Sequence, residues 1–99
     1  MRNTIDIHEH SKFIAYISKL KDPVARVAIT TRLKRLGFGQ WGDHSSVGDG
    51  LIELRIHTGP GYRIYCKRIG DTVVVVLGAG TKNRQQADID AAMKVAEAL

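Results

Sequence analysis

Arg55, His57 and Arg63 fall on two neighbouring stretches in which polar and apolar residues alternate, and Lys82 follows a third, wholly apolar stretch. Guanidinium forks suit phosphate oxygens, an imidazole titrates near neutrality, and an ammonium is a compact positive charge. Those types match one reaction well. Cutting RNA by attack of its own 2′-hydroxyl needs a base for that hydroxyl, cations for the developing charge and an acid for the leaving oxygen. The bland alternative is a solvated sheet face, because antiparallel sheets commonly leave one polar side to water.

The elements that must position these residues are legible from periodicity. Ile52, Leu54 and Ile56 lie on one side of the first stretch; Glu53, Arg55 and His57 lie on the other. On the second, Tyr62, Ile64 and Cys66 form the apolar set, and Arg63, Tyr65 and Lys67 the polar one. Opposed residues in a hairpin share a face, so apolar must meet apolar. A loop through Gly59, Pro60 and Gly61 does this by opposing Ile56 to Ile64, Arg55 to Tyr65 and Glu53 to Lys67. One hairpin face then packs on helices. The other carries Glu53, Arg55, His57, Arg63, Tyr65 and Lys67 as a polar cluster.

Around the hairpin the chain reads β-α-α-β-β-β-α, an α+β domain spanning residues 1–99. Asn3–His8 alternates as a first strand. Ser11 is placed to cap a helix with Phe13, Tyr16, Ile17 and Leu20 on one side. Asp22-Pro23 restarts a second helix with Ala25, Ile29, Leu33 and Leu36 as its stripe, stopped by Gly37 and Gly39. Residues 39–50 read as a loop anchored by Trp41. Gly70-Asp71 is a hairpin turn before Thr72–Leu77, a strand covered on both faces. Asn83 and Gln86 have capping-box spacing before a last helix with Ile89, Ala92, Met93 and Ala96 on one face.

Composition narrows the partners. The chain has 99 residues, 43% hydrophobic and 25% charged, with a net charge of +5. Basic residues gather at Lys12, Lys19, Lys21, Arg26, Arg32, Lys34 and Arg35, and again at Arg55, Arg63, Lys67, Arg68, Lys82 and Arg84. Nucleic acid or an acidic protein is the expected partner. No apolar run is long enough for a membrane span, and MRNTIDIHEH has no secretory h-region, so no membrane is expected and the cytoplasm is the expected location. The lone Cys66 suits that compartment and falls in an apolar set, so it is expected to be packed rather than nucleophilic. His8-Glu9-His10 lacks metal-ligand spacing, so no metal is expected. Gly78-Ala79-Gly80 has no phosphate-loop pattern and reads as a tight strand exit.

The run Glu53-Leu54-Arg55-Ile56, Gly59-Pro60-Gly61-Tyr62-Arg63-Ile64-Tyr65, Leu77-Gly78, Thr81-Lys82 and Gln85-Gln86-Ala87-Asp88-Ile89 resembles the HigB-like, phage-related branch of the RelE/ParE superfamily of toxins. The Pro23–Gly37 segment and Gly42-Asp43 are similar too, so the resemblance spans nearly the whole chain. It implies a small twisted antiparallel sheet with two N-terminal helices packed on one face and a C-terminal helix. It also implies the toxin of a type II toxin–antitoxin system. RelE- and HigB-like members are endoribonucleases that cut mRNA on the ribosome without a metal or cofactor. ParE-like members share the fold but inhibit DNA gyrase, and a degenerate member would keep only antitoxin binding. The implied partners are a helix-turn-helix antitoxin, the ribosome and mRNA. By motif position Arg63 meets the scissile phosphate, Lys82 is the basic residue after the last strand, and Arg55 is a basic position on the preceding one. RelE has lysines where this chain has Leu51 and Glu53, and its tyrosine near the C-terminus has no counterpart after Lys82. The base is therefore His57 or Glu53. The candidate set is Arg55, His57, Arg63, Tyr65 and Lys82 for catalysis, with Glu53, Lys67, Arg84 and Gln86 for holding RNA.

Overall fold

The computed structural model describes residues 4–99, so Asn3 of the expected first strand lies outside the described residues. The order is β1 (Asp6–Glu9), α1 (Ser11–Lys19), α2 (Pro23–Gly37), β2 (His44–Gly48), β3 (Leu51–Ile56), β4 (Tyr62–Ile69), β5 (Val73–Thr81), a 3-10 turn (Lys82–Arg84) and α3 (Gln85–Glu97). The α+β class is as expected, with one strand more. Residues 44–48, expected to be loop, pair as β2 along the free edge of β3. The strand is short, polar and bulged between Ser46 and Gly48, as edge strands often are, and so lacks the apolar alternation that announces a strand.

The strands lie in the order β1-β5-β4-β3-β2. Every pair is antiparallel except β1 with β5, which runs parallel from Asp6↔Val73 to Glu9↔Val76. The sheet is therefore mixed rather than wholly antiparallel. Parallel neighbours need a long crossover, and the whole chain between β1 and β5 supplies it.

Alternation along the strands divides the interior in two. Phe13, Ala25, Ile29 and Leu36 from α1 and α2 pack on Leu54, Ile64, Cys66, Val74 and Val76. On the other face, Ile89 and Ala92 of α3 pack on Leu51, Tyr65 and Leu77. The expected open polar face is thus half roofed: Tyr65 is 0% and Glu53 1% exposed. Within β5, Gly78-Ala79-Gly80 is not a strand exit; the strand runs on to Thr81. Gly80 is needed there because the Asp88 carboxylate of α3 occupies the space a Cβ would take.

The β3–β4 register differs from expectation by two residues. Ile56 pairs with Tyr62, Arg55 with Arg63, Leu54 with Ile64, Glu53 with Tyr65 and Leu51 with Lys67. The turn is wider than Gly59-Pro60-Gly61 alone. The Gly61 amide donates to the Thr58 carbonyl at 3.0 Å, closing a turn over Thr58–Gly61 and leaving His57 outside the ladder. Because the shift is even, every side chain keeps its face. What changes is the partner of each one.

Two expected caps move. Asp22 does cap α2, accepting from the Val24 and Ala25 amides at 3.1 Å. The cap of α1, however, is His10, whose Nδ1 accepts from the Lys12 amide at 3.1 Å, and Ser11 is the first helical residue. Asn83 does not cap α3, which begins at Gln85 off the 3-10 turn without a side-chain cap. Among the described residues no helix is long and apolar enough to cross a membrane.

Among the described residues the buried Tyr65 hydroxyl has no hydrogen-bond partner. Burial, then the charges of Glu53 and Asp88, push its pKa up. Removing an unsatisfied buried hydroxyl recovers its desolvation cost, so Tyr65→Phe is expected to stabilise the fold by about 1 kcal/mol. Thermal and denaturant unfolding should show a raised midpoint. A lowered midpoint would mean that the hydroxyl is satisfied in solution.

Candidate functional site

The site is built on Glu53, a carboxylate placed inward by strand alternation at the centre of β3. Its Oε1 accepts from Arg63 Nη1 at 2.7 Å and Arg55 Nη1 at 3.3 Å, and its Oε2 accepts from Gln85 Nε2 at 2.8 Å. A charge this deep persists only when paired and hydrogen-bonded. Here three partners from β3, β4 and the first turn of α3 meet that condition. The shifted register makes it possible: pairing Arg55 with Arg63 sets two guanidiniums side by side, two residue pairs along from Glu53 and on the same face. The side-chain exposure of Arg63 is 13% and that of Arg55 25%, so both are held yet reachable from solvent.

From Arg55 the network continues outward. Arg55 Nη1 donates to Ser45 Oγ of β2 at 2.8 Å, and Nη2 and Nε donate to Asp43 Oδ1 at 2.8 and 3.1 Å. The other Asp43 oxygen lies 2.7 Å from His57 Nε2. His57 is 75% exposed on its side chain, so the imidazole is open to solvent. Hydrogen bonds from Arg55 and then from His57 hold the Asp43 carboxyl well below the usual carboxylate range. A carboxylate hydrogen-bonded at one ring nitrogen orients the imidazole and leaves the other nitrogen to face outward.

Asp43 keeps its place because Arg32 of α2 ties down the loop. Its guanidinium donates to the carbonyls of Trp41 at 2.9 Å, Asp43 at 2.5 Å and Arg55 at 2.6 Å. The backbone of Gly42 turns at φ +67°, and a Cβ there would sit 2.8 Å from Arg32 Nε. Glycine is required twice over, once for the turn and once for the close approach of a fixed guanidinium.

The structure joins Glu53, Arg55, His57 and Arg63 of the expected set into one network. Lys82 begins the 3-10 turn beside the hairpin loop: its amide donates to the Gly61 carbonyl at 3.0 Å, while its side chain is exposed. Arg84 is exposed on the same turn. Tyr65 lies beneath α3, away from solvent. Lys67 opposes Leu51 rather than Glu53 and lines a cleft with Asp49 and Glu97. Gln86 bonds Asp90 at 3.0 Å along α3. Cys66 is buried, and burial pushes its thiol up to about 12. The sequence reading missed Gln85, Asp43, Ser45 and Arg32 as members of the site. Gln85 and Asp43 lie within the motif stretches, but no periodicity ties them to Glu53 and Arg55.

These features define a class. The chain has a RelE-like fold: it is similar, with a TM-score of 0.74, to the solved structure of a mutant of the E. coli toxin RelE in the free state. The likeness covers 92% of this chain and 96% of that one, at 15% sequence identity. No family model matches the chain. At 44% identity over 96 residues, 97% of each chain, it is also similar to an uncharacterized protein of Haemophilus influenzae, and it belongs to one family with that protein.

Two outcomes follow from the network. Glu53→Gln leaves the enclosed Arg63 without its counter-charge, and breaking such a pair is expected to cost about 3 kcal/mol. Chemical denaturation checks this, and a loss under about 1 kcal/mol would show that the pair is not enclosed in solution. Asp43 has its folded pKa below its unfolded one. Its stabilisation is therefore present above the unfolded value, about pH 4, and is lost as pH falls through the folded value. The stability gap between wild type and Asp43→Asn should be flat near neutrality and shrink below about pH 4. A gap unchanged by acid would remove the Asp43 pairing from the account.

Proposed function

We propose that this chain is a HigB-like toxin of a type II toxin–antitoxin pair, an endoribonuclease that cuts mRNA on the ribosome in the cytoplasm. The observation that carries this reading is the side-by-side placement of Arg55 and Arg63 on buried Glu53, with an Asp43-backed imidazole alongside. Arg63 is held rather than free, so its charge needs little reorganisation to meet a developing oxyanion, and fixed donors of this kind gain most where water is excluded. His57 takes the 2′-hydroxyl proton. Glu53 is the positioning residue and not the base, since both its oxygens are already accepting hydrogen bonds from Arg55, Arg63 and Gln85. Lys82 donates the proton that the leaving 5′-oxygen takes up as its bond to phosphorus breaks, and Arg84 beside it extends the surface for the strand. Placement of mRNA by the ribosome supplies the alignment that a shallow surface lacks. The antitoxin, an acidic helix-turn-helix protein in this reading, covers the basic helices and the site, with an affinity that falls as salt rises.

Primer extension on a reporter mRNA tests this, with and without translating ribosomes. Cuts inside translated codons that vanish without ribosomes are expected. Arg63→Ala and Lys82→Ala should each lower cleavage by about 100-fold or more and abolish growth arrest. His57→Ala should reduce cleavage by a smaller factor, because alignment on the ribosome survives. Intact mRNA accompanied by gyrase-dependent DNA breaks would replace this reading with a ParE-like one.

A further inference from the structure

Between α2 and the end of β3 lies a cleft of about 310 Å³, lined by Thr31, Arg32, Arg35, Asp43, Arg55 and His57 among others. It opens beside His57, the side chain the proposed reaction relies on. Three guanidiniums meet one carboxylate there, and that carboxylate is already engaged by Arg55 and His57. Arg32 is fixed by backbone carbonyls and Arg55 by Asp43, Ser45 and Glu53. Arg35 is exposed and, among the described residues, makes no side-chain hydrogen bond or ion pair. Burial holds the Arg32 guanidinium below its ordinary pKa; Asp43 opposes this, and the charges of Arg35 and Arg55 add to it. Like charges so close repel one another, and an anion entering the cleft would relieve that repulsion.

We infer that this cleft is a second phosphate subsite, in which Arg35 holds the RNA phosphodiester next to the one that is cut. The inference rests on the mRNA-cutting reading and adds to it a direction for the strand. RNA passes from Arg63 and Lys82 across His57 to Arg35, so that the imidazole stands between two held phosphates. An acidic protein segment could answer the same charges. RNA is favoured because the cleft adjoins the acid–base group and its free cation is a bidentate fork.

The test uses the full-length toxin with ribosomes programmed by a defined message and reads toxin dependence of the cleavage rate. Arg35→Ala should raise the half-saturating toxin concentration about tenfold while the saturating rate changes little, and Arg35→Lys should restore only part of that loss, because an ammonium keeps the charge without the fork. Replacing the linkage next to the cut by a neutral methylphosphonate should cost wild type a similar factor. It should cost Arg35→Ala nothing further, since the two changes remove one contact. Additive losses, or no effect of either change, overturn the subsite while leaving the enzyme reading intact. A loss confined to antitoxin binding also overturns it and assigns the cleft to a protein. An uncut all-phosphodiester message with wild type defeats the parent reading, and the subsite with it.

Discussion

A carboxylate sealed from water at the middle of a sheet must find its counter-charges inside the fold, and at Glu53 this demand organises everything around it. One oxygen accepts from both Arg55 and Arg63, the other from Gln85. Those partners come from separate elements, so satisfying one carboxylate fixes the β3–β4 register and the approach of α3 together. The price is desolvation of charge, which rarely adds net stability. The return is placement: two guanidiniums are immobilised on a surface that would otherwise leave them free.

The same arrangement explains why the site lies where it does. α3 covers the part of this face that holds Leu51, Tyr65 and Leu77, and β2 borders it on the other side. Between them the polar network runs outward from Glu53 through Arg55 and Asp43 to the exposed His57. Burial falls along that path, so the groups at its inner end are held and those at its outer end are open to solvent. Arg32 fixes the outer end from α2, across the sheet edge, by satisfying backbone carbonyls in the loop that carries Asp43.

Much of this was legible in the residues. Strand alternation put Glu53, Arg55 and Arg63 on one face, and an even register shift left that assignment intact. Asp22-Pro23 marked the start of α2 because the cap and the fixed proline φ are local properties. The pairings themselves were not legible. The Thr58–Gly61 turn takes in one residue more than the glycine-proline-glycine pattern shows, and His57 drops out of the ladder; no local rule distinguishes that from a tighter loop. β2 escaped notice because His44–Gly48 pairs through its backbone and carries little apolar signal. Tyr65 read as a surface residue because its phenol is polar, whereas packing against α3 buries it. Asp43, Gln85 and Arg32 join the site only through tertiary contact, far along the chain from the residues they hold.

The central claim is that Arg63 is held in place before any substrate arrives, and side-chain NMR of its guanidinium tests that most directly. With ¹⁵N-labelled protein, Arg63 should show slow rotation about its Nε–Cζ bond and higher order on the fast timescale than the exposed Arg84. In Glu53→Ala that difference should disappear. An Arg63 as mobile as Arg84 in the wild-type protein would contradict the account, since its charge would then have to be organised by the substrate.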